Sequence, residues 1–137
     1  MYYIKFIMKN YVLKLIEYLY YLSLMTLLIL YLFPGSLIGY LIYSDFGKQP
    51  NLISNPIGTS INHSIYFSWL IILVLVIRAR KINFLTNINF IIFLSIILEL
   101  LHFIIPNRAF EYYDLFANLL GVVIGFLIFK VVVWLKN

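Results

Sequence analysis

A helix that crosses a bilayer needs roughly 20 mostly apolar residues, and this chain is largely made of four apolar runs joined by short polar links. The first runs from Leu19 to Phe33 and is interrupted by Pro34-Gly35. The second runs from Ile65 to Ile77 and stops at Arg78-Ala79-Arg80-Lys81. The third, Phe84 to Ile105, ends at Pro106, and the fourth, Leu115 to Leu135, carries Lys130 close enough to its end to reach the interface. The expected architecture is therefore all-α. It is an integral membrane bundle of four transmembrane helices at about 12–33, 64–78, 84–105 and 114–135, forming one domain over 1–137.

Composition closes the other routes. With 64% hydrophobic and 11% charged residues, the chain has too little polar surface to wrap a soluble globule of this size. The formal charge of +5 comes from cations in short flanks between apolar runs, not from a basic stripe along one face, which argues against nucleic acid as a partner. Without cysteine there is no disulfide, thiolate zinc site, iron–sulfur centre or thiol nucleophile. The first run has the basic leader of a signal peptide but no small-residue cleavage site after it, so a retained first span is expected. Asp45 to Thr59, rich in Asn, Pro, Gly and Ser, reads as a connecting loop. Leu37 to Tyr43 reads either as the end of a kinked first helix or as a short interfacial piece.

Basic residues in short loops set orientation, because cytoplasmic flanks retain them. Lys5, Lys9 and Lys14 precede the first span, Arg78, Arg80 and Lys81 lie between the second and third, and Lys130 and Lys136 close the fourth. Of the ten Lys and Arg, only Lys48 and Arg108 fall in the opposite connections. Both termini are thus expected in the cytoplasm.

On that topology the polar residues near span ends gather on the outer side. His63 opens the second span, Glu99 and His102 lie in the last turns of the third, Arg108 follows in the turn, and Asp114 and Asn118 open the fourth. Ionisable groups at membrane depth are costly and are usually paired or line a wet cavity, so one shared pocket is expected. Glu99 and His102, three apart, share a helical face; Asp114, Asn118, Gly121 and Gly125 step by four, three and four along another. Gly121 and Gly125 are read as helix-packing positions that let a neighbouring backbone approach closely. Pro106 ends the third helix so that Arg108 can fold back over the pocket.

Glu99-Leu-Leu-His102, Pro106-Asn-Arg108 and Asp114-Leu-Phe-Ala-Asn118-Leu-Leu-Gly121 with Gly125 together resemble the signature of VanZ-like membrane proteins. That signature is Glu-x-x-Gln, then Pro-x-Arg, then Asp-x-x-x-Asn-x-x-Gly over the last two of four spans. His102 stands at the family's Gln, and Thr59 and Ser60 stand where members carry Asp and Lys before the His63 position. The resemblance implies a role at the cell envelope, in the bacterial cytoplasmic membrane, of the kind associated with reduced susceptibility to teicoplanin-type glycopeptides.

Two readings of the pocket follow. In the first it binds an anionic lipid or a lipid-linked envelope precursor. His63, Arg108 and Asn118 hold the ligand, the Arg108 fork meets a phosphate, and Glu99, His102 and Asp114 can move a proton if a reaction occurs. In the second the protein is a non-catalytic scaffold whose ion cluster of Glu99, Arg108 and Asp114 only ties helices together, with a homo-oligomer or a membrane partner protein as its context. Two carboxylates and two imidazoles accompany one guanidinium, which is more than a clamp of paired charges requires. Ligand spacing of the His-Glu-x-x-His or clustered-cysteine kind is absent, so no metal is expected, although two histidines and two acids could in principle hold an ion; no cofactor is expected either. Transport fits poorly, because four short spans leave little room for a pathway.

Overall fold

The computed structural model describes residues 2–48, 58–78 and 83–135, with the backbone alone at 2–9, 58 and 59. The described residues form five helices and no strand: α1 (Tyr2–Leu32), α2 (Leu37–Tyr43), α3 (Gly58–Arg78), α4 (Ile88–Leu101) and α5 (Tyr112–Leu135). Three stretches are long and apolar enough to cross a membrane: Asn10–Leu32 of α1, Ser60–Arg78 of α3 and the whole of α5. The wide exposure of apolar side chains such as Leu15, Met25, Leu127 and Val131 agrees with an apolar surrounding rather than water.

The third apolar run departs from expectation. Its helix covers Ile88–Leu101, 14 residues, about 21 Å of rise and well short of a 30 Å hydrocarbon layer. Both ends of the predicted 84–105 span fold as turns. At the front, Thr86 N–H donates to Asn83 Oδ1 at 2.8 Å and Asn83 N–H donates to Thr86 Oγ1 at 3.0 Å. This closes a tight loop from which Asn87 caps the helix by accepting from Asn89 N–H at 3.0 Å. At the back, His102 is the C-cap, the next bonds tighten to i→i−3 spacing, and Asn107 takes a left-handed φ of 59° after Pro106.

The first run also differs at both ends. Its helix begins at Tyr2, ten residues before the predicted start, and ends at Leu32. The Pro34-Gly35 break, with Gly35 at φ 96°, then releases the chain into the separate helix α2. Ser36 caps α2 by accepting from Gly39 N–H at 2.9 Å, and Ser44 closes it in the left-handed region. Leu37–Tyr43 is thus its own element. Of the basic flanks, Lys14, Arg78 and Lys130 are exposed, whereas Arg80, Lys81 and Lys136, most of the 49–59 loop and the side chains of Lys5 and Lys9 lie outside the described residues.

The core follows helical periodicity. In α1 the buried stripe is Tyr20, Leu24, Leu27 and Tyr31; in α3 it is Phe67, Leu70, Ile71, Val74 and Ile77; in α4 it is Ile91, Leu94 and Leu98. The most extensive helix pair is α3 with α5, and α4 packs on both and on α1. Glycines set that seam. A Cβ on Gly121 would lie 2.4 Å from the Ser64 carbonyl oxygen, and one on Gly125 would lie 2.1 Å from Ile71 Cγ2 and 2.5 Å from the Ser68 carbonyl oxygen. Ser68 Oγ–H donates to the Gly121 carbonyl at 2.8 Å, so the close approach is also hydrogen-bonded. At both glycines the facing backbone of α3 lies too close to leave room for a Cβ.

Candidate functional site

The end of α1, the start of α3, the end of α4 and the start of α5 meet at one end of the bundle, and there the polar residues converge. His63 lies in the second turn of α3, Glu99 in the last turn of α4 with His102 as its cap, and Asp114 and Asn118 in the first two turns of α5. Glu99, His102, Asp114 and Asn118 are buried and His63 is half-buried. The two stripes anticipated from helical spacing therefore face one another.

Asn118 links them. Its Nδ2 donates to the Ser95 carbonyl of α4 at 3.1 Å, and its Oδ1 accepts the Tyr31 hydroxyl of α1 at 2.8 Å. The Tyr31 oxygen also shares a 2.5 Å hydrogen bond with His63 Nδ1. Its ring stacks on the His102 imidazole, centroids 5.3 Å apart at 17°, and meets the His63 ring edge-on at 5.2 Å. Tyr31 thus stands between the two imidazoles. Sequence reading passed over it because its neighbours are leucines; the signal available was the 20, 24, 27, 31 stripe, which places its hydroxyl on the buried face.

The acids are held from behind. Ser60 Oγ–H donates to Asp114 Oδ1 at 2.6 Å, while Asp114 Oδ2 lies 3.7 Å from His63 Nε2. Glu99 Oε1 accepts the Glu111 N–H at 3.2 Å and lies 3.3 Å from His102 Nδ1. Glu99 Oε2 and His102 Nε2 are buried with no hydrogen-bond partner among the described residues. Ser60 is a second participant that sequence reading did not select.

Arg108 corrects one expectation. Among the described residues it makes no ion pair with Glu99 or Asp114. Its guanidinium reaches back to the end of α1, where Nε donates to the Phe33 carbonyl at 3.2 Å and Nη2 to the Leu30 carbonyl at 2.5 Å. Carbonyls at a helix C-terminus have no intrahelical donor and carry partial negative charge, so they attract a cation at short range. Burial lowers the Arg108 pKa from its ordinary value, and the nearby Tyr31, Glu99 and Asp114 oppose that shift. Outside the helices, the Glu111 carboxyl is pushed up by burial, with Asp114 and Glu99 adding like-charge repulsion.

Beside this cluster lies a cavity of about 130 Å³. Its polar lining comes from His63, His102, Arg108, Tyr31, Ser36 and Asn62, its apolar lining from α1, α2 and Tyr66, and among the described residues no carboxylate lines it. The polar part of the wall is therefore the Arg108 guanidinium with two imidazoles, two hydroxyls and an amide, and Glu99 and Asp114 stand beside the imidazoles. Such an arrangement can receive an anionic group, and a carboxylate–imidazole pair at its wall can pass a proton. No family model matches the chain, and no curated protein or solved structure matches it.

Proposed function

We propose that this chain is a four-span membrane protein of VanZ-like type, whose cavity binds, and in the catalytic version modifies, the anionic headgroup of a lipid or lipid-linked envelope component. The observation that carries this reading is the cavity's polar lining: Arg108 and the two imidazoles line it, and among the described residues no carboxylate does. In this reading α4, with the turns that flank it, is the fourth crossing. Its 14-residue helix fits because neighbouring helices and the capped turns satisfy the backbone where the helix stops. The cavity end faces outward and both termini lie in the cytoplasm. Support for that orientation comes from Lys14, Arg78 and Lys130, which lie in or beyond the parts of α1, α3 and α5 remote from the cavity.

The test is lipid analysis of protein purified in mild detergent, with Arg108→Ala and His63→Ala compared against the unaltered chain and with circular dichroism as the folding control. An anionic lipid enriched with the unaltered chain and lost from folded variants is the expected result; identical lipid profiles overturn the reading. Because the chain has no cysteine, Asn107→Cys gives a clean topology probe. Labelling of intact cells by an impermeant maleimide is expected, and labelling only after permeabilisation overturns the outward orientation.

The scaffold reading keeps one specific observation in its favour. Two Arg108 nitrogens are committed to carbonyls of Leu30 and Phe33 at and just beyond the end of α1, as a purely structural tie requires. In that case Arg108→Ala lowers membrane accumulation in step with any loss of function.

A further inference from the structure

We propose that His63, Glu99 and Asp114 together hold one divalent first-row metal ion of the zinc class, coordinated between α3, α4 and α5. Each residue brings one ligand atom, and these atoms lie within 4.8 Å of one another. Two ligands bound to zinc at its usual bond lengths and tetrahedral angle are about 3.4 Å apart. His63 Nε2 and Asp114 Oδ2 stand at 3.7 Å, too far for a hydrogen bond and close to that spacing.

The hydrogen-bond chain through Tyr31 fixes which imidazole nitrogen is available. Asn118 gives its Nδ2 to the Ser95 carbonyl, so its Oδ1 is the acceptor of the Tyr31 hydroxyl proton. Tyr31 has no second proton, and its bond to His63 Nδ1 therefore needs that nitrogen to be the donor. In the neutral imidazole the lone pair then lies on Nε2, facing the Asp114 carboxylate. Two acceptors facing each other require a cation or a proton between them. Orientation of a ligating histidine by a hydrogen bond at its other nitrogen is the usual support for a metal site.

Charge points the same way. Glu99 is fully buried, its Oε2 has no hydrogen-bond partner, and neither it nor Asp114 pairs with a Lys or Arg among the described residues. Two buried carboxylates without a Lys or Arg partner among the described residues bring oxygen donors of the kind that a divalent ion takes. Three protein ligands of nitrogen and oxygen type leave a fourth position for water or an anion, and His63 also lines the cavity. The ligands come from three separate helices, so no local motif announces the site. The ion is a property of these side chains and does not depend on the anionic-lipid reading.

The test uses the full chain in detergent, stripped with chelator, dialysed and reloaded with zinc or cobalt in the absence of added lipid. Elemental analysis is expected to return about one zinc per chain, and Glu99→Gln, Asp114→Asn and His63→Gln are expected to weaken binding roughly 100-fold or more. Variants that fold, by circular dichroism and gel filtration, and still bind zinc as the unaltered chain does overturn the proposal. A readout on the unaltered chain guards against variants that do not fold. X-ray absorption of the zinc-loaded protein is expected to show imidazole nitrogen together with oxygen ligands at about 2.0 Å. An oxygen-only shell, or no zinc retained, overturns the proposal. Identical lipid profiles for the unaltered chain and the Arg108→Ala variant, with zinc binding intact, would count against the lipid reading alone.

Discussion

Helix α5 has two halves that are both rich in apolar residues and that behave differently. From Asp114 to Gly125 it presents a buried stripe of Asp114, Ala117, Asn118, Gly121, Val122 and Gly125 to its neighbours. From Phe126 to Leu135 no residue is buried, and Trp134 is 75% exposed. Greasy side chains are abundant in both. What separates them is that the first half offers small residues where a backbone must approach and polar groups where a partner helix has something to exchange. Where the surrounding medium is itself apolar, hydrophobicity gives little preference for one helix face over another, and shape and hydrogen bonding decide which faces meet.

Substitutions can break that contrast. The largest effect is expected from Gly125→Leu. The added Cβ alone meets Ile71 and the Ser68 carbonyl, so α3 and α5 must separate, at a cost of about 3 kcal/mol read as a lowered melting midpoint in detergent. An unchanged midpoint would mean that the seam yields freely. Tyr31→Phe keeps the ring stack on His102 but removes the hydroxyl that serves Asn118 and His63. About 1–2 kcal/mol is expected, since a buried acceptor loses its donor. Together with the melting curve, a weakened zinc affinity would separate the hydroxyl's orienting role from mere packing. The smallest effect belongs to the outer half: Val131→Ala, at a residue 54% exposed, should stay within about 0.5 kcal/mol. A larger loss there would reveal that this half is covered by another helix in the membrane.

Much of the cavity end was legible in sequence because its ionic members are rare in such a chain and fall at helical spacings. Glu99 with His102, and Asp114 with Asn118, Gly121 and Gly125, could be assigned to common faces from separation alone. The all-helical class was equally plain from the apolar runs. Tyr31 was not legible, since a tyrosine among leucines reads as interfacial filler until a neighbour is known to need its hydroxyl. The partners of Arg108 were hidden for a different reason: they are backbone carbonyls, which every residue has. The length of α4 was obscured because Phe84, Leu85, Phe103, Ile104 and Ile105 are as apolar as the helix they flank, yet they sit in turns that Asn83, Thr86 and Asn107 dictate.

The bond from Arg108 to the Phe33 carbonyl joins positions 75 residues apart. During synthesis the first helix must therefore wait, its last carbonyls served by water or lipid headgroups, until most of the chain has left the ribosome. Only then does the guanidinium arrive to fasten it. The clasp is a late event in biogenesis, and a nascent chain arrested ahead of it should leave the end of the first helix open to proteases that the finished protein resists.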